Sequence, residues 1–145
     1  MKLKKFNYLF CALILSSFNI TAGVIETNFI YIGESSHPSL LGVKQGLDES
    51  NLQGEFLNQK YSLDEITIDN IDGHDFSKYL AVLTSVNSKE LRNIAKQLSE
   101  TPVFNLADES DELRHDCTKN ILHITPSKQM KSDALMQLKV KKPDS

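Results

Sequence analysis

From residue 28 onward, short apolar runs alternate with stretches whose apolar residues recur at helical spacing. That alternation constrains the fold more than any other feature. Phe29, Ile30, Tyr31 and Ile32 form a nearly unbroken apolar run, which suits a strand covered on both faces, as in a parallel sheet. A helix is expected over 39–50, with Leu40, Leu41, Val43 and Leu47 as its apolar stripe, followed by a turn over 51–58 centred on Gly54. Further strands are expected over 60–69, over 79–85, from Pro102 to Ala107, and over 120–124. The clearest helix lies over 87–100, where Leu91, Ile94, Ala95 and Leu98 share one face and Asn87 with Glu90 reads as a capping box. The acidic stretch 108–116 reads as a helical turn or a loop. A last helix, capped by Thr125 with Pro126 at its first position, buries Met130, Ala134, Leu135 and Leu138 and is broken by Pro143. The expected architecture is an α/β parallel sheet of about five strands with helices on both faces. One joint is short: only about ten residues separate the second and third strands, fewer than a crossover helix usually needs.

The first residues read as an export signal. Lys2, Lys4 and Lys5 precede an apolar run from Phe6 to Phe18, and small residues follow at Thr21, Ala22 and Gly23. The run falls short of the roughly 20 residues that span a bilayer. Cleavage after Ala22 or after Gly23 fits, so residues 1–22 are expected to be removed and 23–145 to form one domain that is periplasmic and does not itself span the membrane. Loss of the three lysines takes the formal charge from −3 to −6. Nucleic acid and anionic lipid are therefore poor partners. Cys117 would be the single remaining cysteine, which excludes an internal disulfide, and its acidic surroundings disfavour a reactive thiolate.

Catalytic patterns are absent. The chain has no glycine-rich dinucleotide motif, no P-loop and no nucleophile elbow, and His37, His74, His115 and His123 lack metal-ligand spacing. No enzyme activity, cofactor or metal is expected. In open α/β sheets, ligands bind at the carboxyl ends of strands. The positions there are Glu34, Ser35, Ser36 and His37 after the first strand, then Thr84, Ser85 and Asn87 after the third, Ala107, Asp108 and Glu109 after the fourth, and Thr125 and Ser127 after the fifth. Short hydroxyl side chains beside helix starts suit a small polar or anionic solute, and they equally cap helices.

Three stretches carry a resemblance. "FIYIGESSHPSLLGVKQGLDESN" resembles the opening strand and helix of type 1 periplasmic solute-binding proteins, and "LQGEFLNQKYSL" is similar to the segment entering their second strand. "TPVFNLADESDELRHDCTKNILHITPSKQMKSDALMQLKVKK" is similar to a branch of the branched-chain amino-acid receptor group found beside pyrroloquinoline-quinone-dependent alcohol oxidation systems. Leu113, Arg114, Cys117, Asn120, Leu122, His123, Pro126, Ser127, Met130, Asp133, Ala134 and Leu135 match its pattern. The resemblance implies the N-terminal lobe of a two-lobed protein that closes on a small polar solute and delivers it to an inner-membrane ABC-type permease. By position it places ligand contacts at Thr84, Ser85 and Asp108, to which the strand-end reading adds Ser35. Members of the group are more than twice this length, so the expectation is a lobe without its counterpart. Alternatives are a small periplasmic protein–protein interaction module reusing the lobe, and a non-functional fragment.

Overall fold

The computed structural model describes residues 23–141, so the expected signal over 1–22 and the helix breaker Pro143 lie outside the described residues. The elements run β1 (Ile25–Ile32), α1 (Pro38–Leu57), β2 (Gln59–Ile66), a 3-10 turn (Ile68–Asn70), β3 (Ala81–Thr84), α2 (Ser88–Gln97), β4 (Val103–Asn105), α3 (Glu112–His115), β5 (Ile121–His123) and α4 (Lys128–Lys141). All strand pairs are parallel, and the order across the sheet is β2-β1-β3-β4-β5.

Alternation along each strand sorts side chains to the two faces. Ile30, Ile32, Val82, Val103 and Ile121 face one way and close a core with Leu91, Ile94 and Ala95 of α2 and Leu113 of α3. Phe29, Tyr61, Leu83 and Phe104 face the other way, toward Val43 and Leu47 of α1, with an open apolar groove between them. Helices thus lie on both faces, as the near-continuous apolar runs required.

Helix α1 extends seven residues past the expected end, because Gly54 works inside the helix rather than in a turn. A Cβ at Gly54 would stand 2.5 Å from the Gln59 carbonyl oxygen, so the bare backbone lets the last turn pass close under β2. Asn58 then ends the helix in the left-handed region at φ 53°, donating its N–H to the Gly54 carbonyl. Asn51 faces the outer edge of β2: its Oδ1 accepts from Tyr61 N at 2.8 Å and its Nδ2 donates to Tyr61 O at 3.0 Å. A side-chain amide thus occupies backbone groups that an edge strand would otherwise offer to another chain.

The short β2–β3 joint contains a 3-10 turn and an irregular segment, with no crossover helix of its own. A side-chain network holds it. His74 Nε2 lies 3.1 Å from the Tyr79 hydroxyl, which donates to Asp64 on β2, and Lys78 Nζ reaches the same carboxylate at 3.1 Å. The His74 ring stacks on Tyr79 and meets Phe76 edge-on, and Ile71, Phe76 and Tyr79 are buried. The Tyr79 hydroxyl, and next the Lys78 ammonium, hold the Asp64 carboxyl below its ordinary range. A depressed folded value contributes stability that is fully present above the unfolded carboxylate range near ~3.9 and is lost as pH falls through the folded value. Tyr79→Phe keeps the ring but removes both hydroxyl bonds. It is expected to cost about 1 kcal/mol at neutral pH and to lose part of that deficit in acid, when Asp64 is protonated in both proteins. Urea melts of the two proteins across that range measure the difference.

Helix α2 carries the expected capping box, with Asn87 Oδ1 accepting from Lys89 N and Glu90 N, and Glu90 accepting from Asn87 N. Its other end is closed by Asn120, whose Nδ2 donates to the carbonyls of Ala95, Leu98 and Thr101 at 2.8–3.1 Å. Just past α3, Cys117 is exposed and stands at φ 47°, where a Cβ is disfavoured. Cys117→Gly is expected to raise stability by about 0.5 kcal/mol, read as a higher urea midpoint with unchanged slope.

The last helix corrects two expectations. Its first turn is capped by Ser127, not Thr125: Ser127 Oγ accepts from Met130 N at 3.2 Å, while Thr125 donates across to the Leu106 carbonyl. The face expected to be buried is not buried. Met130, Leu135, Met136, Leu138 and Val140 are all 57–80% exposed, and no residue of α4 is buried. Apolar residues at helical spacing report only that a helix can pack, not that a partner surface lies within reach in the same unit.

Candidate functional site at the strand ends

Strand order reverses between β1 and β3: the chain moves outward from β1 to β2, then crosses back to β3 and continues to β4 and β5. Loops leaving neighbouring strands diverge there, and a crevice opens at their carboxyl ends. A crevice of about 480 Å³ occupies that place. Gly33, Glu34 and His37 line it after β1, Thr67, Ile68 and Asp69 after β2, and Ser85, Val86, Asn87 and Glu90 after β3.

The floor is made by close approach at Gly33. A Cβ there would collide with the Ser85 hydroxyl and stand 3.0 Å from the Tyr31 hydroxyl. Without it, Tyr31, fully buried on β1, shares a hydrogen bond with Ser85. The walls are the first turns of α1 and α2. His37 Nδ1 accepts from Ser39 N at 3.2 Å and lies 2.8 Å from Ser39 Oγ, Pro38 has no N–H to offer, and Leu40 N is bonded to the His37 carbonyl. The α2 side is closed by the Asn87–Glu90 box.

Of the four residues expected to touch a ligand, Ser85 lines the crevice and Ser35 lines a smaller adjoining hollow with Thr67 and Asn70. Thr84 turns inward. It is 1% exposed, and its hydroxyl donates to the Ile32 carbonyl at 3.0 Å. Its parity with Val82 along β3 already assigns it to the core face. Asp108 lies after β4 in a separate network, where Ser88 Oγ donates to its Oδ2 at 2.7 Å and Ser110 N to its Oδ1 at 2.8 Å. Burial pushes the Asp108 carboxyl up, but the Ser110 and Ser88 bonds together hold it below the ordinary range. Glu90, Thr67, Ile68 and Asp69 escaped the sequence reading. The expected β2 runs on to Asp69, which places its end past these three residues, and Glu90 reads only as a capping partner.

Residues from Asn105 to Ser127 build the β4–β5 end of the sheet. Asn105, 1% exposed, accepts from Ala107 N and Asp108 N and donates toward the Asp108 carbonyl and His123 Nδ1. Burial first, and then the Arg114 charge, lower the His123 pKa, opposed by Asp108. The Arg114 guanidinium donates to the Thr125 carbonyl, and Ser127 is buried under the start of α4. Leu113, Arg114, Asn120, His123 and Ser127 therefore shape this end of the fold.

Among the described residues, no group of three or more His, Cys, Asp and Glu side chains is placed to hold a metal ion, and no helix is long and apolar enough to cross a membrane. Fold and crevice together define an α/β protein of the parallel, doubly wound class with an open strand-end site. No family model, curated protein or solved structure matches the chain.

Proposed function

We propose that this chain is a solute-binding lobe of the type 1 periplasmic binding-protein kind, exported by its N-terminal signal and serving an ABC-type permease, in a system linked to quinoprotein alcohol oxidation. The observation that carries the reading is the crevice at the reversal of strand order, lined by polar side chains from three strand ends and two helix starts. The course of α4 supports it. This helix leaves the same carboxyl edge, tied there by Lys128 N to the Glu109 carbonyl, and carries exposed apolar residues outward. A helix of that kind suits packing against a second lobe on the far side of the crevice. In this role the residues bind and orient a solute, and no bond is made or broken.

Thermal melting of the purified chain against a panel of small polar solutes tests the proposal. A solute present at 100 times its dissociation constant adds about 2.7 kcal/mol to stability, which is readily seen as a raised midpoint. The expected result is a solute whose effect is abolished by Ser85→Leu, a substitution that fills the crevice floor. Stabilisation that survives Ser85→Leu, or none from any solute, contradicts the proposal.

A second reading, a protein–protein interaction module, is favoured by the exposed apolar residues of α4 together with half-exposed Leu122 on the sheet. Size-exclusion chromatography with light scattering separates the two: a stable dimer lost in Leu135→Glu supports the module, and a monomer supports the lobe.

A further inference from the structure

The charge and hydrogen-bond state of the crevice point to its ligand class, and the argument rests on reading the crevice as the binding site. We infer that the crevice accepts a small ammonium-bearing solute, such as an aliphatic amine or diamine, and rejects carboxylates and phosphates.

Strand-end crevices usually suit anions, because helix N-termini present unsatisfied N–H groups and a positive dipole end. Here the capping donors of both helix starts are largely taken from within. In α1, Ser39 N is taken by His37 Nδ1, Leu40 N is taken by the His37 carbonyl, and Pro38 removes the remaining donor. In α2, Lys89 N and Glu90 N are taken by Asn87 Oδ1, and Asn87 N is taken by Glu90. An incoming carboxylate finds these capping donors already occupied.

The side chains point the same way. Glu34, Asp69 and Glu90 line the crevice, and no lysine or arginine does. Among the described residues, none of these three carboxylates stands in an ion pair, although Glu65, Asp64, Glu109, Glu112 and Asp116 elsewhere on the surface do. Three carboxylates outside any ion pair among the described residues, one of them also closing the α2 cap, concentrate cations around the concave wall and repel anions. A solute with one ammonium group can pair with Glu34 or Glu90 while its chain lies against Ile68 and Val86.

A charge-matched set of four-carbon probes tests this: putrescine, 1,4-butanediol and succinate, titrated into the isotope-labelled full chain and followed by amide chemical shifts. Putrescine is expected to move the Gly33, Ser85 and Asn87 resonances, with an affinity that falls as salt is added. Glu34→Gln with Asp69→Asn is expected to weaken it about fivefold to tenfold while the spectrum elsewhere stays unchanged. Both positions are exposed and outside the α2 cap, so folding is preserved. Succinate or butanediol binding at these resonances in preference to putrescine overturns the ligand class but leaves the crevice as a solute site. Failure of all three probes to move them overturns the ligand class and the crevice reading together.

Discussion

Asn105→Ala is expected to destabilise the chain by about 3 kcal/mol, lowering its melting midpoint by roughly 10 °C. Asn105 sits at the end of β4 and is 1% exposed. Its Oδ1 is the acceptor for Ala107 N at 3.2 Å and Asp108 N at 2.9 Å, and its Nδ2 satisfies the Asp108 carbonyl at 2.7 Å. Alanine leaves these backbone groups without partners in a place water reaches poorly, and each such loss costs about 1–3 kcal/mol before relaxation. The loss also frees His123 Nδ1, 3.0 Å away. Because the network lies beyond the crevice, solute binding measured below the melting transition should be retained. Equilibrium urea unfolding provides the stability, and a change under 1 kcal/mol would show that the β4 loop holds itself.

Leu113→Ala is expected to cost a similar amount, about 2–5 kcal/mol. Helix α3 has only four residues, too few to be stable by its own hydrogen bonds, and Leu113 is its one buried side chain. The residue is 1% exposed and packs into the core formed by α2 and the inner face of the sheet. Truncation leaves a cavity and releases the segment between β4 and β5 together. The expected signature beyond the lowered urea midpoint is faster amide exchange from Leu113 to Cys117, with exchange in β1 changed only by the global loss of stability. A total stability in the usual range of about 5–15 kcal/mol makes either substitution a large fraction of the whole.

The sequence made the layers legible because their causes are local. The unbroken apolar run at Phe29–Ile32 demanded a strand covered on both sides, and the structure sets it between β2 and β3. Asn87 and Glu90 announced the start of α2 through chemistry that acts over three residues. What stayed hidden depended on distant contacts. Gly54 reads as a turn residue until the Gln59 carbonyl is seen beneath it. The stripe from Met130 to Leu138 reads as buried until its side chains are seen exposed, with none of α4 buried among the described residues. At the site, the strand-end rule led to Ser85 but also to Thr84, whose position along β3 turns it inward. The carboxylates of the crevice come from the loop after β1, the 3-10 turn after β2 and the first turn of α2, and only the strand order brings them together.

Amide hydrogen exchange of the full chain, with and without the solute that raises its melting point, tests the central claim most directly. A ligand held at the strand-order reversal should slow exchange at Gly33–His37 and Ser85–Glu90 together, by a factor that grows with occupancy, and leave α4 unaffected. Protection appearing instead along α4, or in the apolar groove between α1 and Phe104, would contradict a strand-end solute site.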